Sequence, residues 1–241
     1  MCGILLYLNK KNFLSSKEIK LIKKTTKLLY HRGPDHQNSI IKKNIFLFHS
    51  RLSIQDPNQR SNQPMIKNHK NNKYYLMFNG EIYNFKELKK KISKKINFQT
   101  TSDTEVLINN YIFKKHKPEF ILDFEGMFAF TIYNEKDNSI IFGRDYFGQK
   151  PLYYFSNEKK IIISSEIKPI LNLINSKYKH INIQSAKEYF LENDYFKKRE
   201  TLFNNINLIL PGEVGYVMNN QVFFKRLYKK IKPKKNNFRK K

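Results

Sequence analysis

The chain has 241 residues, of which 40% are hydrophobic and 15% aromatic, enough apolar material for one large or two small globular domains. Its formal net charge of +26 would favour an anionic partner such as nucleic acid, but the lysines are spread along the whole sequence and no nucleic-acid-binding motif accompanies them. No stretch approaches the ~18 consecutive apolar residues of a membrane span, and a single cysteine forms no internal disulfide, so a cytoplasmic protein without membrane contact is expected.

Strands dominate the predicted elements, and their pairing with a few helices favours an α+β layered domain. Ser15 and Glu18 form a capping box ahead of a helix that Gly33 and Pro34 end. In chain order the predicted elements are a strand at Cys2–Leu8, a helix from the Ser15 cap to about Tyr30, strands at Asn38–Lys42 and Ile45–Ser50, a polar loop at Gln55–Asn72, a strand at Tyr74–Asn79 ended by Gly80, helices at Asn84–Lys94 and Ser102–Lys114, the second opened by a capping box of Ser102 and Glu105, strands at Met127–Tyr133, Ser139–Arg144, Leu152–Ser156 and Lys160–Ser165, helices at Ile167–Ile174 and Gln184–Glu192, and a hairpin of Val214–Met218 with Gln221–Lys225.

Cys2 is the only cysteine and directly follows the initiator methionine. Small second residues generally permit removal of Met1, which would leave Cys2 at the amino terminus with a thiol and a free α-amine. The α-amine titrates near ~7.7–8.0, so near neutral pH it can accept the proton of a thiol whose pKa is about 8.5. The alternative is a cysteine that only opens a buried strand, because free cysteines are commonly core residues. Position alone leaves both interpretations open.

Seven short motifs follow one another along the chain. They are Cys2-Gly3-Ile4, His31-Arg32-Gly33-Pro34-Asp35, Arg51-Leu52-Ser53-Ile54, Asn62-Gln63-Pro64-Met65, Asn79-Gly80-Glu81-Ile82-Tyr83-Asn84, Ser102-Asp103-Thr104-Glu105 and Asp145-Tyr146-Phe147-Gly148-Gln149-Lys150-Pro151-Leu152-Tyr153-Tyr154. In this order they resemble the amino-terminal glutaminase domain of glutamine-hydrolysing asparagine synthetases, a class-II glutamine amidotransferase. The resemblance covers about residues 2–225. It implies the N-terminal-nucleophile fold, a four-layer α/β/β/α sandwich of two antiparallel sheets, over residues 2–226. The concentrated basic residues at 227–241 are expected to form a tail that is disordered or a shortened linker.

The resemblance makes Cys2 a catalytic nucleophile that forms a thioester with L-glutamine. Asn79 and Gly80 suit the oxyanion role, because a side-chain amide and an adjacent backbone N–H at a strand end can point at one oxygen. The alternative is an ordinary Asn-Gly turn, which would be preferred if Cys2 were not present. We therefore predict Cys2, Asn79 and Gly80 as the catalytic group.

Three charged residues are predicted to bind the amino-acid end of the substrate. Arg51 can hold an α-carboxylate through a two-pronged hydrogen bond that lysine would not reproduce. Glu81 and Asp103 supply anionic oxygens for the α-ammonium group, although Asp103 on local evidence is equally well a first-turn helix acid. The segment His31–Asp35 is interpreted as mainly structural, and no metal site is expected.

The ATP-pyrophosphatase part of the family's full-length members, with its Ser-Gly-Gly-x-Asp-Ser phosphate loop, has no counterpart in the 241 residues. We therefore expect no cofactor in this chain, and ATP and Mg²⁺ to act only through a missing or separate synthetase subunit. The expected function is glutamine hydrolysis that supplies nitrogen for asparagine or a related amidation. Two alternatives are an inactive or regulatory remnant of a split synthetase, which the intact site residues count against, and a basic anion-binding protein on the same scaffold.

Overall fold

The computed structural model describes residues 1–192 and 198–227, so nearly all of the predicted basic tail lies outside the described residues. The strands are β1 Gly3–Asn9, β2 His36–Lys42, β3 Ile45–Arg51, β4 Met65–His69, β5 Asn72–Ile82, β6 Gly126–Asn134, β7 Ser139–Arg144, β8 Tyr153–Ser156, β9 Lys160–Ser164, β10 Ile206–Leu208, β11 Glu213–Met218 and β12 Gln221–Arg226. The helices are α1 Ser16–Thr26, α2 Phe85–Ile92, α3 Asp103–Phe113, α4 Ile167–Leu173 and α5 Ile183–Glu192. No helix in the two described ranges is long and apolar enough to cross a membrane.

Within the described ranges the strands form two six-stranded sheets. Their orders are β10-β8-β9-β1-β3-β2 and β12-β11-β7-β6-β5-β4. Every strand pair is antiparallel, including β1 with β3 and β9 in the first sheet and β5 with β4 and β6 in the second. Strands β1 and β5 therefore each lie between two neighbouring strands of their sheet.

Alternation of side chains along these two strands builds the layers. On β1, Leu6 faces the space between the sheets, while Tyr7 packs with side chains of α1 and α4 on the outer face. On β5, Met77 faces the first sheet, while Phe78 packs against α3. The molecule is thus a helix–sheet–sheet–helix sandwich, which confirms the predicted α+β architecture with two antiparallel sheets.

Two strand predictions were wrong. β4 lies inside the segment Gln55–Asn72 that was expected to be a polar loop, because an edge strand buries little and its sequence is largely polar. β5 does not end at Gly80 but continues to Ile82. Gly80 has φ +152° and lies so close to β6 that a β-carbon there would be 2.1 Å from the Met127 carbonyl oxygen. The glycine therefore permits close approach of two strands rather than ending one.

The helix caps agree with the sequence in one case and differ in the other. Ser15 and Glu18 form the predicted capping box of α1. Ser102 caps α3 by accepting a hydrogen bond from the Thr104 N–H. The carboxylate of Glu105, however, accepts hydrogen bonds from N–H groups of the loop before Ser102 instead of completing a capping box. Glu105 thereby fixes the approach to the α3 N-terminus.

Candidate active site

The candidate catalytic residues are brought together by strand alternation at one end of the two sheets. Cys2 lies two residues before Ile4, whose side chain is in the layer between the sheets. In the same way Arg51 follows Leu47 on β3 by four residues, and Asn79 follows Met77 on β5 by two. Leu47 and Met77 also lie in the layer between the sheets, and residues an even number of positions apart share a face of a strand. The period of two therefore directs all three side chains inward, from strands of both sheets.

A cleft of about 150 Å³ opens at this end of the sandwich. All six of the residues predicted from the sequence line it, although they are separated by up to about a hundred positions in the chain. The lining includes Cys2, Arg51, Asn79, Gly80, Glu81 and Asp103, together with Met1, Leu52, Gln63 and Lys150.

The thiol of Cys2 is half-buried and is held by the backbone of β3's C-terminal extension. Its Sγ lies 3.4 Å from the Leu52 nitrogen, which donates to it. Burial raises the pKa of the Cys2 thiol above its ordinary value, while the Leu52 N–H and the charge of Arg51 act in the opposite direction. A thiol with a raised pKa is a poor nucleophile near neutral pH, so the site needs a base.

Met1 lines the cleft and is 54% exposed. While Met1 is attached, the nitrogen of Cys2 is an amide and cannot accept a proton. Removal of Met1 would convert that nitrogen into an amine next to Sγ. The accessible position of Met1 fits such a processing step.

Asn79 and Gly80, the predicted oxyanion donors, both line the cleft. Asn79 is 1% exposed, and its Nδ2 has no hydrogen-bond partner among the described residues. A buried amide without a partner costs roughly 1–3 kcal/mol, so a ligand that accepts from it would remove this cost. The alternative interpretation of an ordinary Asn-Gly turn is wrong, because both residues lie within β5.

Arg51 is buried, and its two terminal nitrogens are occupied by the loop that follows. Nη1 donates to the Asn58 carbonyl and to Asn62 Oδ1, while Nη2 donates to the carbonyl oxygens of Gln55 and Asp56. In this arrangement the guanidinium organises the loop, and Nε is the donor left for a ligand. The predicted two-pronged contact with a carboxylate would require the loop to release one of the terminal nitrogens.

Asp103 lies at the start of α3 and is 3% exposed. Its Oδ2 accepts a hydrogen bond of 2.9 Å from the Ile82 N–H at the end of β5. Burial raises the pKa of the Asp103 carboxyl to about 6, and the nearby charge of Glu81 adds to the rise, whereas the Ile82 N–H lowers it. Asp103 is thus a first-turn acid of α3, as the alternative interpretation had it, and it is also a buried residue that lines the cleft.

Arg32 is a residue whose contact with the nucleophile the sequence did not indicate. It lies in the segment His31–Asp35 that was interpreted as structural. Its Nε donates to the Cys2 carbonyl at 3.0 Å, and its Nη1 donates to Glu166 at 2.9 Å. Arg32 therefore fixes the backbone of Cys2. The sequence does not reveal this contact, because Arg32 is far from both Cys2 and Glu166 along the chain.

Comparisons with known proteins identify relatives of this chain. The sequence pattern of the glutamine amidotransferase domain family matches residues 1–228. An asparagine synthetase (glutamine-hydrolysing) of Bacillus subtilis is 33% identical over 88% of this chain, and asparagine synthetase B of Escherichia coli is 37% identical over 61% of it. The chain spans only 33% and 26% of those two proteins. A glutamine phosphoribosylpyrophosphate amidotransferase of B. subtilis superposes with a TM-score of 0.66 at 16% identity, over 93% of this chain and 49% of the other.

Proposed function

The chain belongs to the class-II glutamine amidotransferase family, and on that premise we propose that it hydrolyses L-glutamine to glutamate and ammonia through a thioester on Cys2. The observation that carries the proposal is the cleft itself. It brings together the thiol of Cys2, a buried amide donor on Asn79 that has no partner in the described part of the chain, and the buried carboxylate of Asp103. An inactive remnant or an anion-binding protein would not require a thiol, an amide donor and a carboxylate in one cleft.

Formation of the thioester begins with proton transfer from the thiol to the α-amine of processed Cys2. Sγ then adds to the side-chain carbonyl carbon of glutamine, and the negative charge that develops on the carbonyl oxygen is stabilised by Asn79 Nδ2 and the Gly80 N–H. Collapse of this intermediate breaks the carbon–nitrogen bond. The α-ammonium returns its proton to the leaving nitrogen, which departs as ammonia.

Hydrolysis of the thioester repeats the sequence with water as the nucleophile. The α-amine takes a proton from the water, and the resulting oxygen adds to the thioester carbon. The same two donors stabilise the second oxyanion. The carbon–sulfur bond then breaks, glutamate leaves, and the sulfur regains its proton, so the net reaction is glutamine plus water giving glutamate plus ammonia.

Binding of glutamine is expected to depend on pH through Asp103. The α-ammonium group of the substrate needs the ionised carboxylate, and because the pKa of Asp103 is raised to about 6, the charged form predominates above pH 6 and is lost as the pH falls through 6. Glutamine affinity should therefore fall by about tenfold for each pH unit well below 6. Equilibrium binding to a Cys2→Ala variant measures this without interference from thiol chemistry.

Asp103→Asn in the same background is the matched control. The amide keeps the shape but not the charge, so affinity should be lower by roughly one to two powers of ten, the cost of a charge-assisted hydrogen bond of about 1.5–3 kcal/mol. It should also show no dependence on pH between 5 and about 7, because the carboxyl group whose ionisation changes there in the parent protein has been removed. An unchanged pH profile in this variant would contradict the assignment of Asp103.

The acceptor of the ammonia is proposed to lie on a separate ATP-pyrophosphatase synthetase subunit in the cytoplasm, which would make asparagine or a related amide. The B. subtilis asparagine synthetase is about three times as long as the matched part, which supports a second domain as partner. The outer hairpin of β11 and β12 exposes Met218 and Phe223 and is the proposed docking surface. ATP and Mg²⁺ would act only on that partner.

The experiment that tests the proposed function uses the chain alone. Purified protein incubated with glutamine should release glutamate and ammonia in equal amounts. With aspartate, ATP and either nitrogen source it should form no asparagine, and ATP should not bind, because the sequence carries no phosphate-binding loop. Tight ATP binding or asparagine formation would contradict the proposal that ATP acts only on a separate subunit. Absence of glutamate release would contradict the glutaminase assignment.

A further inference from the structure

Phe78 on β5 has its two backbone polar groups satisfied by side chains rather than by a neighbouring strand. The pairing of β4 with β5 reaches only to Leu76. Beyond that point the Phe78 N–H donates to Gln63 Oε1 at 2.6 Å, and the Phe78 carbonyl oxygen accepts from His49 Nε2 at 2.9 Å. Gln63 is 3% exposed and His49 is 0% exposed. Two buried side chains, one on β3 of the other sheet and one in the loop that precedes β4, therefore hold a single peptide residue.

The edge of β5 held in this way is the edge that carries the oxyanion donors. In an antiparallel strand the N–H and C=O of alternate residues point to the same side. Because the backbone N–H and C=O of Phe78 point away from β6, those of Gly80 point away from β6 as well. They point to the side on which β4 has already ended. Asn79 lies between them and lines the cleft, and its Nδ2 has no hydrogen-bond partner within residues 1–192 and 198–227. The position of both donors thus depends on how firmly Phe78 is held.

From these contacts we infer that His49 and Gln63 are positioning residues that hold the oxyanion donors Asn79 and Gly80 in place by clamping Phe78. The inference rests on the proposed glutaminase function. It predicts that loss of either clamp side chain weakens stabilisation of the tetrahedral oxyanion and leaves substrate recognition by Asp103 intact.

The clamp is a neutral one. A carbonyl oxygen only accepts, so His49 Nε2 carries the hydrogen, and Nδ1 has no hydrogen-bond partner among the described residues. Burial lowers the pKa of His49 to about 3, and the charge of Arg51 acts in the same direction. The donor is therefore present throughout the pH range in which the α-amine of Cys2 can act as base.

The test compares the variants Gln63→Met and His49→Leu with wild type by measuring kcat, KM and the affinity for two ligands. The first ligand is the γ-aldehyde analogue of glutamine, which adds Sγ of Cys2 and acquires a tetrahedral oxyanion. The second is glutamate, which does not. Each variant should lose about ten- to a hundredfold in kcat, the loss expected from misplacement of a catalytic group by roughly 1 Å. Aldehyde affinity should fall by the same factor, while KM and glutamate affinity stay unchanged.

His49→Gln and Thr201→Val are the controls. His49→Gln keeps an N–H donor and should recover most of the lost kcat. Thr201→Val removes a buried 2.7 Å hydrogen bond to the Ile206 carbonyl, away from the cleft, and should lower Tm without changing kcat. The inference would be overturned if the Gln63 and His49 variants had a lower Tm but unchanged kcat and aldehyde affinity. It would also be overturned if their affinities for the aldehyde and for glutamate fell equally. A wild-type chain that neither hydrolyses glutamine nor binds the aldehyde would overturn the proposed function instead.

Discussion

Replacement of Cys2 by alanine is expected to abolish glutamate release from glutamine, with a loss in kcat on the order of 10⁶ as for removal of the nucleophile in other covalent mechanisms. The reason is that Sγ forms and breaks the only covalent bond between enzyme and substrate in the proposed reaction. Glutamine binding should persist, because the Asp103 carboxylate and the Arg51 Nε remain in the cleft. A glutamate-release assay and equilibrium binding of glutamine measure the two effects separately.

Retention of Met1 should be nearly as damaging as loss of the thiol. In the unprocessed chain Sγ is present, but the nitrogen of Cys2 is an amide, so the base is missing while burial keeps the pKa of the thiol raised. Intact-mass analysis sorts processed from unprocessed protein, and activity should follow the processed fraction. Full activity in a chain that retains Met1, or persistent turnover in Cys2→Ala, would contradict the mechanism.

The position of the site could be predicted from the sequence because it depends on local rules and on one resemblance. Alternation along β1 places Cys2 inward two residues before Ile4, and the capping serine at Ser102 places Asp103 at the start of α3. Both features follow from local sequence patterns, namely the alternation of side chains along a strand and the capping residue of a helix. The family motifs then indicated which of these inward side chains belong to one cleft, and the structure brings all of them there.

The surroundings of the site could not be predicted, because they depend on contacts between distant segments. Nothing near Arg51 in the sequence shows that loop carbonyl oxygens occupy its terminal nitrogens, since the path of residues 55–62 is set by the fold. The same holds for Arg32, whose role follows from reaching the Cys2 carbonyl. Gly80 was expected to end a strand because glycine commonly does so; only the distance to β6 shows why glycine is needed inside one.

Asn79→Ala is expected to lower kcat by about 10²–10³, the usual cost of removing one oxyanion donor, and to leave KM for glutamine nearly unchanged. The difference arises because Nδ2 gains its full hydrogen bond only when the carbonyl oxygen carries negative charge. Asn109→Ala is a matched control, since Asn109 is also a buried asparagine whose amide has no partner among the described residues, but it lies outside the cleft on α3. Its kcat should equal that of wild type. If Asn79→Ala instead raised KM and spared kcat, its amide would bind the ground state of the substrate, and the oxyanion would have to rely on the Gly80 N–H.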